Sequence, residues 1–174
     1  MKALWITLLG VMLLAVACEE ENNDDILEYN TYSTINVKTE GSEYFTFSTN
    51  SGVTDSSGLY DLEFYSVSYT PPGAPFPIND PRIGAGENIT IAAVNAGSLE
   101  MVSEVPDAES FVSGFTTETD AWYYMTDSHM VLPNDYVYVV NTADGKFPAF
   151  EVTNYYDDQG NSGSFTIQWK YLSN

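Results

Sequence analysis

One histidine, one cysteine and five lysines and arginines are all that 174 residues hold of those types, and each shortage closes a class of function. A lone His129 rules out two imidazole ligands from one chain. It also leaves zinc without a second histidine or a cysteine pair. No serine–histidine–aspartate spacing surrounds it. Twenty-five acids against five bases give a net charge of −20. Phosphate neutralisation needs clustered cations, so nucleic acid is excluded as a partner, and adhesion to anionic head groups is disfavoured. Long apolar runs are also missing. The longest, Leu4 to Leu14, is interrupted only by Thr7 and Gly10. It falls well short of the roughly 20 residues needed to cross a bilayer.

What is there begins with Lys2, that apolar run and the small residues Ala15, Val16 and Ala17. This order of charge, grease and small side chains is a secretory leader over residues 1–17. Cys18 follows at once, and LLAVAC resembles a bacterial lipobox, in which the thiol receives diacylglycerol and becomes the new N-terminus. Ala15 stands where leucine is usual, and Ala15-Val16-Ala17 also satisfies ordinary A-x-A cleavage, which would leave Cys18 a free thiol. Lipidation at Cys18 is the expectation, with a membrane anchor through it. Glu19 to Asp25 holds five acids in seven residues and nothing to seed a core. Residues 18–30 therefore read as a solvated tether. It also resembles the acidic stretch that, in some Bacteroidetes, sends lipoproteins to the cell surface. Losing Lys2 with the leader takes the net charge from −20 to −21.

Residues 31–174 read as one β domain of single-domain length, with aromatics enough for a core without disulfides. Period-two alternation in Tyr, Phe, Val, Thr and Ile recurs, punctuated by Gly, Pro, Asn and Asp. Strands are expected at 33–39, 43–49, 59–69, 89–94 and 121–125, with a short helical turn near 108–112 and a turn at 126–128. Residues 50–58 read as a loop. Residues 70–88 hold five of the eight prolines and read as a long irregular loop. The last third is clearest: Asp135 to Thr142, a hairpin at Asp144-Gly145, Phe147 to Tyr156, a turn over 157–163, and Ser164 to Tyr171. Three strands in that order make an antiparallel meander. The fold class expected is all-β, a sandwich or half-open barrel.

YVYVVNTADGKFPAFEVTNYYDDQGNSGSFTIQWKY, with AWYYMTDSHMVLP, EYFTFSTNSG and LYDLEF upstream, resembles the HmuY-like lipoproteins of Bacteroidetes, whose named member carries haem. The likeness spans roughly residues 30–174. It departs at Tyr60, where tryptophan before Asp61 is usual, and in the proline-dense segment where glycine is expected. It implies an outer-membrane lipoprotein, surface-exposed, that binds haem or a haemoprotein for iron acquisition and works with an outer-membrane receptor.

In members of that family paired histidines or paired methionines from different loops hold the iron. Here the soft donors left after the leader are His129, Met101, Met125 and Met130. Met125, His129 and Met130 lie within six residues and are the ligand candidates, with Trp122, Tyr123 and Tyr124 as candidate pocket walls. The bland readings stand beside these. His129 can be a structural imidazole bonded to a neighbouring loop, each methionine core filler, and the tyrosines pleat-filling residues. Net negative charge opposes an anionic porphyrin unless Lys146, Arg82 or tyrosine hydroxyls line the mouth. Beyond haem iron no metal is expected, since Asp157 and Asp158 lack an EF-hand ligand set. The alternative function keeps the scaffold and binds a glycan or host protein. A carboxylate pair such as Asp61 and Glu63 keeps a hydrolase in view, but no catalytic residues are assigned and no enzyme is expected.

Overall fold

Val137 to Val140 are four consecutive buried residues, a pattern that a strand shows only when both faces of its sheet are covered. The computed structural model describes residues 29–53, 59–115 and 122–173. The leader, Cys18 and most of the acidic tether lie outside the described residues. Twelve strands are described: β1 (Asn30–Ser33), β2 (Glu43–Thr46), β3 (Ser51–Val53), β4 (Leu62–Tyr69), β5 (Ile78–Ala85) and β6 (Thr90–Asn95), then β7 (Val112–Ser113), β8 (Tyr123–Met125), β9 (Val131–Pro133), β10 (Tyr136–Asn141), β11 (Pro148–Tyr156) and β12 (Ser162–Tyr171). Short 3₁₀ turns at Leu99–Met101 and Ala108–Ser110 are the helical elements among the described residues, and none is long and apolar enough to cross a membrane.

All ladders are antiparallel. A six-stranded sheet runs β1-β12-β11-β10-β6-β7, a four-stranded sheet β3-β2-β4-β5, and β8 pairs with β9 as a separate hairpin. The two larger sheets share no strand among the described residues, so they form a sandwich and no barrel closes. Their inner faces meet through rings: Phe64 lies 5.1 Å from Phe165 and Phe47 5.1 Å from Trp169, centroid to centroid. The outer face of the larger sheet is covered in turn by Leu99, Val102 and Leu172 packed on Val137, Val139 and Ala149.

The C-terminal meander forms as read. In its first hairpin Thr142 Oγ donates to Asp144 (2.6 Å) and accepts from Lys146 N–H (3.1 Å), while Lys146 pairs with Asp144 at 2.8 Å. Gly145 supplies the positive φ of 74°. The T-x-D-G-K run is thus a self-closing turn. In the second, Asp157 accepts from the N–H groups of Gln159 and Asn161 and from the Asn161 side chain.

Three upstream expectations need correction. The strand expected over 33–39 ends at Ser33. The Asn36 carbonyl accepts the N–H groups of Thr39 and Glu40, and its side chain that of Lys38, so the chain closes into a turn. The loop expected at 50–58 contains β3, a short return strand on β2. The largest departure is at 70–88, where Ile78 to Ala85 pair residue for residue with β4. This strand is the edge of its sheet. An edge uses only alternate N–H groups, so Pro81 costs no ladder bond on its free side.

Candidate functional site

The β8–β9 hairpin carries the residues singled out for ligand binding, and side-chain contacts fix it to the sandwich. Trp122, 4% exposed, donates its indole N–H to the Pro81 carbonyl on the edge of β5 (3.4 Å). Its ring packs 4.9 Å from Phe165 and 5.5 Å from Tyr155. The Asn134 N–H bonds to the Trp122 carbonyl at 2.9 Å and closes the base. Val131 N–H donates to the Tyr156 hydroxyl at 2.8 Å.

That last bond depends on an irregularity in β11. Phe150 and Val152 are buried, but the register then shifts at Asn154, and the next buried residue is Tyr155. Asn154 Oδ1 accepts both the Tyr155 and Tyr156 N–H groups. The bulge reverses the alternation, sending Tyr155 into the core and Tyr156 toward the hairpin. The Tyr155 hydroxyl is buried without a hydrogen-bond partner among the described residues, and burial holds its pKa above the usual phenolic value.

At the hairpin tip Thr126 N–H bonds to the Met130 carbonyl, His129 N–H to the Thr126 carbonyl, and Met130 N–H to the Thr126 hydroxyl. The loop needs one left-handed residue, and His129 fills that slot at φ 61°. Glycine is the usual occupant in such loops. The imidazole is exposed. Met125 is 50% exposed, Met130 47% and Tyr124 53%.

Register decides which of these residues share a side. Met125 pairs with Val131, Tyr124 with Leu132 and Tyr123 with Pro133. Alternation places Tyr123 and Met125 on one face and Tyr124 on the other, where Met130 joins Thr126 through their backbone bonds. All six sequence candidates therefore lie on one element, but the two methionines face opposite ways. Trp122 forms the floor beneath. Met101, the remaining soft donor, is 72% exposed on a 3₁₀ turn against the outer face of the large sheet, outside this hairpin. There it borders a groove of about 640 Å³ lined also by Val102, Glu104 and Asp107, with no cation among its lining residues.

Sequence reasoning missed Asp80, and left Arg82 as one of several cations that could line the mouth, because both come from the segment read as loop. The Tyr123 hydroxyl donates to Asp80 Oδ1, and Arg82 pairs with Asp80 Oδ2. Burial and the Asp80 carboxylate hold the Tyr123 hydroxyl above its ordinary pKa, with the Arg82 charge working against them. Tyr69, 47% exposed, lies close enough to act electrostatically on the same hydroxyl. The alternation of period two in LEFYSVSY was the signal for β4. Its partner strand was hidden by proline.

Of the carboxylate pair weighed as a hydrolase dyad, Asp61 ties two strands together. Asp61 Oδ2 accepts the Thr46 hydroxyl (3.0 Å) and the Phe47 N–H (2.9 Å), which ties the end of β2 to the start of β4. Burial raises its pKa.

A family model described as HmuY protein matches residues 30–169. No curated protein matches the chain significantly. Among solved structures, a candidate lipoprotein of Bacteroides fragilis aligns with a TM-score of 0.60 at 13% identity, covering 87% of this chain and 93% of that one. A candidate HmuY-like haem-binding protein of Bacteroides vulgatus gives 0.55 at 18% identity over 87% and 96%. The apo form of an HmuY analogue from Tannerella forsythia gives 0.54 at 13% over 87% and 100%. At these identities the likeness to the solved structures is one of fold.

Proposed function

The chain belongs to the HmuY family, and from that membership we propose that it captures haem as cargo, without catalysis, on the outside of the cell. Its scaffold is of the haem-binding type. In this reading Cys18 carries the lipid that anchors the chain in the outer membrane, residues 19–28 hold the domain off the surface, and the haem comes from or passes to a haemoprotein or an outer-membrane receptor.

The donor set fits such a cargo. Bound haem supplies an iron with axial positions that imidazole and thioether fill. The observation that carries the reading is the hairpin tip, where an exposed imidazole stands in a left-handed slot between two half-exposed methionines. His129 and Met125 are the pair we assign, because Met125 shares its face with Tyr123, a ring half held in the core and able to wall a macrocycle. Trp122 supports that wall from below. Met130 and Tyr124 belong to the opposite face and serve as the alternate ligand and wall.

Haemin titration of the full chain, purified in mild detergent, tests this directly. A saturable Soret shift is expected, abolished in His129→Ala, weakened at least tenfold in Met125→Ala and weakened less in Met130→Ala. An unchanged haemin spectrum at micromolar concentration would overturn the proposal. It would favour the second reading, in which Val67, Tyr69 and Phe76, all well exposed along and beyond β4, stack on a glycan or a host protein.

A further inference from the structure

Four cations remain beyond the leader, and the fold sorts them by position. Lys146 pairs with Asp144 in the β10–β11 turn. Tyr156, whose hydroxyl holds the hairpin, ends β11 eight residues after Pro148 begins it. At about 3.3 Å per residue, Lys146 sits roughly 30 Å from the hairpin. Lys170 lies over the Tyr29 ring. Lys38 bonds to Ser162 at the β11–β12 turn. Arg82 alone among these four joins the group that touches the hairpin, through Asp80 and Tyr123.

That group has a definite chemistry. Asp80, whose side chain is 12% exposed, uses Oδ1 for the Tyr123 hydroxyl and Oδ2 for one Arg82 nitrogen. Both oxygens are engaged, so the carboxylate holds its two neighbours in place. The Arg82 side chain is 36% exposed, and its other guanidinium donors have no partner among the described residues. A planar fork with free N–H groups, oriented from behind, matches a carboxylate in two-point contact. The Tyr123 face is also the Met125 face, and Met125 lies two residues, about 7 Å, further along the strand.

We infer that Arg82, held by Asp80 and Tyr123, receives a carboxylate side arm of the porphyrin. It thereby selects an anionic tetrapyrrole and seats it on the Met125 face. This rests on the haem reading and adds the polar half of the site to the metal-binding half. It also answers how a chain of charge −20 accepts an anion: the contact is a directional one, made by the guanidinium donors that Asp80 leaves free.

The test compares haemin with its dimethyl ester, in which both carboxylates are masked, by Soret titration and by quenching of tryptophan fluorescence. The full chain in detergent is used, with Arg82→Gln, Arg82→Lys and, as a control remote from the site, Lys146→Gln. The wild type should prefer haemin over the ester by about tenfold or more, the scale of one charge-assisted contact. Arg82→Gln should erase the preference, Arg82→Lys should keep part of it, and Lys146→Gln should keep all of it. Equal wild-type affinity for the two porphyrins overturns the inference, needs no variant to fold, and leaves the haem proposal standing. A preference that survives in Arg82→Gln, or that Lys146→Gln removes, overturns it too. Failure of the wild type to bind either porphyrin removes the haem reading and this inference together.

Discussion

His129 occupies a backbone conformation that its side chain makes costly. A left-handed residue other than glycine costs about 1 kcal/mol or more, and nothing in the described structure bonds the imidazole to a neighbour in return. An unfavourable backbone with an exposed, reactive side chain is what a functional residue looks like. His129→Gly separates the two roles. Thermal unfolding of the variant should show stability unchanged or raised by up to about 1 kcal/mol, with haemin binding lost. A clear loss of stability would instead make the imidazole structural. Some of this was legible in the sequence: SHM after a strand and a turn marked His129, Met125 and Met130 as neighbours. Its left-handed conformation was not, because the Thr126 side chain and the Met130 backbone set it together. Arg82 was legible only as one of several cations that could line the mouth; its tie to the hairpin was not, because it arises from Asp80 pairing opposite Val67 across a ladder that prolines concealed.

At the scale of elements, the strongest local signals gave the correct strands and the weaker ones failed where a side chain competed for the backbone. DYVYVVNT, with its Asp-Gly turn, was readable because burial on both faces leaves a continuous apolar run. STINVKT alternates as well as any strand, yet Asn36 captures three N–H groups and ends it. This turn is locked to β12 by Gly163, at φ 128°, where an added Cβ would stand 2.2 Å from Asn36 Oδ1, and by the Gly163 carbonyl accepting the Val37 N–H at 2.9 Å. Gly163→Ala should therefore destabilise the protein by about 1–3 kcal/mol in denaturant unfolding. A wild-type midpoint would show that the two elements are not interlocked. The bulge at Asn154 belongs to the same class: its sequence, TNYY, reads as continuous strand, and only the change of buried phase between Val152 and Tyr155 reveals it.

In the proposed account of the whole molecule, the leader and tether expected from the sequence precede a sandwich that bears the β8–β9 hairpin. Its proposed working order is anchor, spacer, scaffold and capture element. Cys18→Ser tests the first part: the chain should leave the membrane fraction and lose incorporation of labelled fatty acid, while retaining haemin affinity. Continued membrane association would contradict the anchor. The central claim, that the β8–β9 hairpin holds haem, is tested most directly by a crystal structure of the chain with haemin. Iron should lie within bonding distance of the His129 imidazole, on the face shared by Met125 and Tyr123. Iron seated elsewhere, as in the Met101 groove on the far side of the large sheet, would contradict it.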